Sequence, residues 1–154
     1  MNEEEKIKEI FIKSLLEFKN KDLPIMKNNS SERAKVHRVA MYMENFMKQE
    51  NFDKDYVVDC EYNLVNGERK LLPETFYRDE KKHTLCFYPD LIVHKRNGKN
   101  LFCCEFKNKI NSSHDLKKIK FLINDEQYKY TIGTTFNFKN LEKESFQKEI
   151  SFLT

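Results

Sequence analysis

The chain has 154 residues, 39% hydrophobic and 34% charged, and 28 Lys and Arg against 25 Asp and Glu leave a formal charge of +3. That is the size of one domain (1–154) with enough apolar matter for a core, which argues against global disorder, and three Gly with three Pro exclude collagen-like and linker-like chains. A charge of +3 permits a nucleic-acid partner without identifying one, because such a partner needs the lysines gathered on one face.

No apolar run reaches the roughly 18 residues of a transmembrane helix, so no membrane partner is expected. The start, MNEEEKIKEI, has no apolar segment of the secretory type. Cys60, Cys86, Cys103 and Cys104 form neither a CxxC zinc pattern nor a disulfide framework. The expectation is a cytoplasmic protein with reduced thiols.

In chain order, residues 3–20 predict a helix. Ile7, Ile10, Phe11, Leu15 and Phe18 share one face, and Glu3, Glu4 and Glu5 sit in the first turn, where the macrodipole favours them. Residues 21–30 read as a connection. A second helix starts with Ser30 or Ser31 as N-cap and runs to about Gln49, with Val36, Val39, Ala40, Met43, Phe46 and Met47 as its stripe. The period then changes to two. Val58, Cys60, Tyr62 and Leu64 alternate with Asp59, Glu61 and Asn63, a half-buried strand over 56–65. Asn66-Gly67 signals a hairpin, with 68–72 returning and 77–83 a polar loop.

Residues 84–95 predict a strand interrupted at Pro89. Asn97-Gly98 signals a two-residue hairpin turn, and 100–107 is the next strand. Ser112 or Ser113 caps a helix carrying Leu116, Ile119, Lys120 and Ile123. Tyr128, Tyr130, Ile132, Thr134, Phe136 and Phe138 alternate in a last strand, and 140–153 predict a terminal helix. The order is α-α-β-β-β-β-α-β-α. Hairpins give antiparallel pairs and the late helix a parallel crossover, so the fold class is α/β with a mixed central sheet flanked by helices.

Two anomalies carry chemistry. Pro89-Asp90 breaks an apolar strand, and Leu101, Cys103, Glu105 and Lys107 share one face by alternation, placing two charges beyond core-type residues. Counted outward from the Asn97-Gly98 turn, Asp90 and Glu105 are directly opposed, about 5 Å apart. Two carboxylates at that distance repel unless a cation lies between them, and oxygen ligands suit Mg²⁺ or Mn²⁺. Lys107 projects alongside, where it can stabilise developing negative charge or orient a water. Glu32 falls in the helical arc of Val36, Val39 and Met43 and points toward the sheet, while also suiting a first-turn position.

Pro89-Asp90 followed after a hairpin by Glu105-Phe106-Lys107 resembles the PD-(D/E)XK nuclease superfamily, whose restriction-endonuclease-like core has αβββαβ order. The string FYPDLIVHKRNGKNLFCCEFK is similar to a group of small bacterial proteins of that superfamily, and Ser31-Glu32-Arg33 resembles a helical segment of archaeal Holliday-junction resolvases. The resemblance covers about 30–136 and leaves extra N- and C-terminal helices outside. It implies Asp90 and Glu105 as metal ligands, the Phe106 backbone carbonyl completing the site, Lys107 as the catalytic lysine and Glu32 as the helix-borne acid.

Arg33, Arg38, His94, Lys95, Arg96, Lys117 and Lys118 are candidates for contacting substrate, each also readable as a solvated or structural side chain. The same double reading applies to Asp59 and Glu61, and the aromatics of the last strand read as core. The expected function is Mg²⁺-dependent hydrolysis of duplex or branched DNA, with Mn²⁺ as substitute and homodimerisation left open. The alternatives are a non-cleaving nucleic-acid-binding or interaction module, such as a subunit of a defence or repair complex, and a metal-free ion-pair network.

Overall fold

The computed structural model describes residues 1–26, 31–61, 64–65, 68–69, 89–108 and 113–154. Helix α1 (Glu3–Lys21) opens with a full capping box, the Asn2 side chain accepting from Glu5 N–H while the Glu5 carboxylate accepts from Asn2 N–H. Ile7, Ile10, Phe11, Leu15 and Phe18 are all fully buried along it, each contributing about 1.5–3 kcal/mol of transfer energy. A single-turn helix α2 (Leu23–Met26) replaces part of the expected connection. Helix α3 (Glu32–Gln49) is capped by the Ser31 hydroxyl, which accepts from Ala34 N–H.

Strands β1 (Val57–Cys60), β4 (Leu91–His94), β5 (Asn100–Lys107) and β6 (Ile132–Asn137) form one mixed sheet in the order β1-β4-β5-β6. The first two pairings are antiparallel and the last is parallel. Helix α4 (Ser113–Asn124) lies between β5 and β6 in the chain and supplies the crossover that a parallel pair requires. A separate pair, β2 (Leu64–Val65) and β3 (Glu68–Arg69), joins Leu64 with Arg69 and Val65 with Glu68, as the Asn66-Gly67 signal predicts. That turn itself, Ser30, Ser112, Cys86 and the 77–83 loop lie outside the described residues.

Helices cover both faces of the sheet. On one, α1 and α3 pack against Leu91, Val93, Phe102, Cys104, Phe106, Ile132 and Phe136. The Phe11 ring sits 5.0 Å from Phe102 and 6.1 Å from Phe106 between centroids. On the other, Ile119 and Leu122 of α4 pack against Ile92 and Cys103. Gly133 lets α4 approach β6 closely, since a Cβ there would lie 2.5 Å from Ile119 Cγ2. Among the described residues, no helix is long and apolar enough to cross a membrane.

Several expectations are corrected. The first strand ends at Cys60, because Glu61 adopts φ 52°, a left-handed conformation no strand continues through. The last strand begins at Ile132 rather than near Tyr128, because Lys129 has φ 43°. Tyr128 and Tyr130 still pack under α4. The C-terminal helix is instead two short 3-10 helices, Phe138–Glu142 and Phe146–Glu149. The chain then bridges Leu153 to Gly133 through two backbone hydrogen bonds of 2.8 and 2.9 Å. Leu101 joins the α1–α3 face rather than that of Cys103.

Candidate active site at the open end of a hairpin

The β4–β5 hairpin determines which side chains meet. Its loop has three residues, 96–98, not two: Lys95 N–H donates to Lys99 O and Gly98 N–H to Lys95 O, both at 2.9 Å, with Asn97 at φ 63°. That offset is undone at a β-bulge. His94 pairs with Asn100, but Val93 pairs with Phe102, leaving Leu101 as the extra residue, which is why its side chain changes face. From there the register runs Ile92 with Cys103 and Leu91 with Cys104. One step further it sets Asp90 opposite Glu105.

β4 starts at Leu91, after the buried Pro89, so among the described residues the end of β5 has no paired residue of β4 on that side. Phe106 and Asn108 direct their N–H groups to that same edge. Phe106 N–H donates to Asp90 Oδ2 at 2.7 Å, and Asn108 N–H donates to Glu32 Oε2 at 3.0 Å. Two carboxylates, one from a strand break and one from the first turn of α3, thus take the place of ladder acceptors. The Phe106 carbonyl opens toward the same edge as its N–H.

Glu105 is 3% exposed, and its Oε1 has no hydrogen-bond partner among the described residues. Burial pushes its carboxyl well above the ordinary range, the Asp90 charge adds to this, and Lys118 and Lys107 oppose it. Asp90 is also raised, first by burial, with the Glu32 charge adding. The Phe106 N–H, the Lys107 charge and a hydrogen bond with Glu105 pull it the other way. Both carboxyls are therefore held in an environment that disfavours two negative charges, as the opposed register predicts.

Lys107 Nζ lies 3.8 Å from Asp115 Oδ1. Asp115 is 4% exposed and sits one turn before Ile119 on the buried side of α4. Its 115, 119, 122 spacing with Ile119 and Leu122 is the sequence signal for that orientation. Lys35 of α3 reaches the same end of β5. It is 8% exposed, donates from Nζ to Asn108 Oδ1 at 2.9 Å, and lies 5.5 Å from the Phe138 ring centroid. Its ammonium is lowered by burial, against the Glu32 charge.

The remaining candidates divide by position. Glu32, Arg33 and Asp90 line one cavity with Ser31, Val36, His37, Cys60 and Glu61. Arg33 is held at its rim by Glu61, 3.0 Å away. Lys118 is partly buried near Glu105, and Lys117 is exposed one residue earlier on α4. His94, Lys95 and Arg96 lie at the turn end, roughly 13 Å along the strand from Asp90. There His94 Nε2 is 2.8 Å from Asp59 Oδ2, Arg96 donates to both Asp59 oxygens, and Lys95 donates to Asp53 at 2.7 Å. Arg38 bonds Asp22 and Tyr42, each at 3.0 Å, and ties the α2 region to α3.

Among the described residues, no group of three or more His, Cys, Asp and Glu side chains forms a ready-made metal cage. The oxygen set here is two carboxylates and one main-chain carbonyl. Comparisons with protein-family models, curated proteins and solved structures give no match to the chain.

Proposed function

We propose that the protein is a divalent-metal-dependent phosphodiesterase that cuts DNA, with a restriction-endonuclease-like core of the PD-(D/E)XK type. The observation that carries this reading is Glu105: a buried carboxylate with an unpartnered oxygen, opposite a second carboxylate and two residues before a lysine. A buried charge of this kind is costly unless a cation compensates it. The order α3, β1, β4, β5, α4, β6, with the small β2–β3 pair inserted, supports the αβββαβ core.

In this reading Asp90, Glu105 and the Phe106 carbonyl hold Mg²⁺, with Mn²⁺ as substitute. The donor set fits, because hard oxygens suit these ions and the orphaned Glu105 oxygen is a donor awaiting a cation. When bound, the ion supplies Lewis-acid polarisation of a phosphate oxygen and a more acidic water. Lys107 stabilises negative charge that develops on the phosphate, and Asp115 orients its ammonium from the α4 side. Glu32 fixes the end of β5 through Asn108 and raises the negative potential around Asp90. Lys117 and Lys118 neutralise flanking backbone phosphates.

The non-cleaving module is favoured by one observation: Asp90 and Glu32 also satisfy N–H groups at the end of β5, a structural task that needs no chemistry. Incubation with plasmid, single-stranded and four-way-junction DNA, with Mg²⁺, Mn²⁺ or a chelator, decides between them. Metal-dependent products that disappear in Glu105→Gln support the nuclease. Salt-sensitive binding with no product under any metal supports the module.

A further inference from the structure

Asp90 belongs to two places at once. It faces Glu105 across the end of the hairpin and also lines the cavity of about 470 Å³ between the start of α3 and the end of β1. Whatever occupies that cavity sits next to the carboxylate pair. We infer that the cavity receives one unpaired, amino-bearing nucleobase, so that the substrate is a single strand or an unpaired segment rather than an uninterrupted duplex. The inference deepens the nuclease reading and rests on it for the identity of the substrate.

The lining carries the argument. Val36 and Cys60 offer apolar contact for the face of a ring. Glu32, Glu61 and Asp90 are carboxylates, which accept hydrogen bonds and donate none when ionised. Arg33 pairs with Glu61 at the rim, so it is deeper in, beside Glu32 and Asp90, that a phosphate is repelled, whereas a neutral base with outward N–H groups is matched to those carboxylates. Guanine presents an N1–H beside an amino group, a two-donor edge suited to a carboxylate. Adenine and cytosine present an amino group, and thymine has one N–H flanked by two carbonyls. The volume falls within the range of small-ligand pockets. A paired base cannot reach such a cavity without leaving its stack, a cost that is least where the base is already unpaired.

The rim supplies the complementary charge. Arg33 and His37 lie one turn apart on the exposed side of α3, and both border the cavity. The Arg33–Glu61 pair is solvent-exposed on the arginine side. Such pairs contribute little to stability, so Arg33 is available to the phosphate that stays outside with the sugar. The base then points inward and the scissile phosphate remains beside Asp90, Glu105 and Lys107.

The test uses the four 2′-deoxynucleosides, which carry no phosphate and need neither metal nor cleavage. Titrations of the full chain followed by NMR should show deoxyguanosine binding about tenfold or more tightly than thymidine. Cys60→Phe, which fills the cavity, should abolish the response. His37→Trp narrows the same cavity from an exposed position and should weaken it without burdening the core. Equal responses to all four nucleosides, or unchanged binding in a folded His37→Trp protein, overturn the inference. Cleavage assays separate it from the nuclease reading. Blunt duplex cut as fast as single strand, by both parental and His37→Trp proteins, removes the pocket and leaves the nuclease. Base-selective nucleoside binding by a protein that cuts nothing keeps the pocket and removes the nuclease.

Discussion

Beside the two ends of the β4–β5 hairpin, buried or half-buried carboxylates sit in opposite conditions. At the turn end, burial raises Asp59, but hydrogen bonds from Arg96 and His94 outweigh it, and the carboxyl lies below its ordinary value. At the open end, Glu105 and Asp90 are raised, because burial and mutual repulsion outweigh Lys107 and the Phe106 N–H. The same sheet thus carries Asp59, held by Arg96 and His94, and Glu105, one oxygen of which has no hydrogen-bond partner among the described residues. A completed network contributes to folding. An incomplete one leaves buried charge uncompensated, which is what the proposed metal site would relieve.

The sharpest way to break the contrast is Lys107→Ala. If the open end does chemistry, cleavage falls by about 10²–10³ in single-turnover rate, because the lysine acts on charge that develops in the transition state. DNA affinity, spread over many phosphates, stays near the parental value. Cleavage at the parental rate would remove Lys107 from the mechanism. Next in size, Asp59→Asn should destabilise the fold by about 1–3 kcal/mol in denaturant titrations, since it leaves His94 and Arg96 short of a half-buried acceptor. Glu105→Gln should do the reverse in chelator, raising the thermal midpoint by a few degrees, and should lose the stabilisation that millimolar Mn²⁺ gives the parental protein.

The pH dependence of stability follows the same division. Asp90 and Glu105 have raised values in the folded state, so unfolding releases their protons. Stability in chelator is therefore highest at acid pH as far as these two are concerned. It declines as pH rises from their ordinary values of 3.8 and 4.5 through the raised ones. Asp59 has the opposite sign: its contribution is present above its ordinary value of 3.8 and is lost as pH falls through the lowered one. Thermal melts of Glu105→Gln and Asp59→Asn across pH should each remove one limb. The smallest effect is expected from Lys117→Ala and Lys118→Ala, which should each reduce the slope of log affinity against log salt by about one.

Much of this was legible in the sequence because short-range rules were strong where they applied. Ser31 caps α3, and β5 runs over 100–107, as patterning predicts. The expectation that Glu32 turns toward the sheet rested on its arc with Val36 and Met43, and its bond to Asn108 N–H agrees. Asp115 is hard to single out in the sequence, because a first-turn acid is explained so readily by the helix dipole that its phase with Ile119 and Leu122 adds little. The C-terminal segment misled for a different reason. Leu141, Phe146 and Ile150 suit a helical stripe, but short 3-10 turns bury Leu141 and Phe146 while Leu153 returns to Gly133. Left-handed backbone at Glu61 and Lys129 likewise has no signature in residues that are not glycine.

The opposition of Asp90 and Glu105 was reached by counting through a loop that is one residue longer than supposed and a bulge that was not foreseen. The two departures cancel, and the cancellation has a genetic meaning. Closure of the loop at Lys95 and Lys99 acts as a frameshift in space, setting every partner on β5 one position off. The bulge at Leu101 is its built-in suppressor site, because absorbing the extra residue there restores the frame before it reaches Glu105. Indels at the tip and indels at Leu101 should therefore rescue one another, so that drift at the solvent end of the hairpin leaves the alignment at its working end intact.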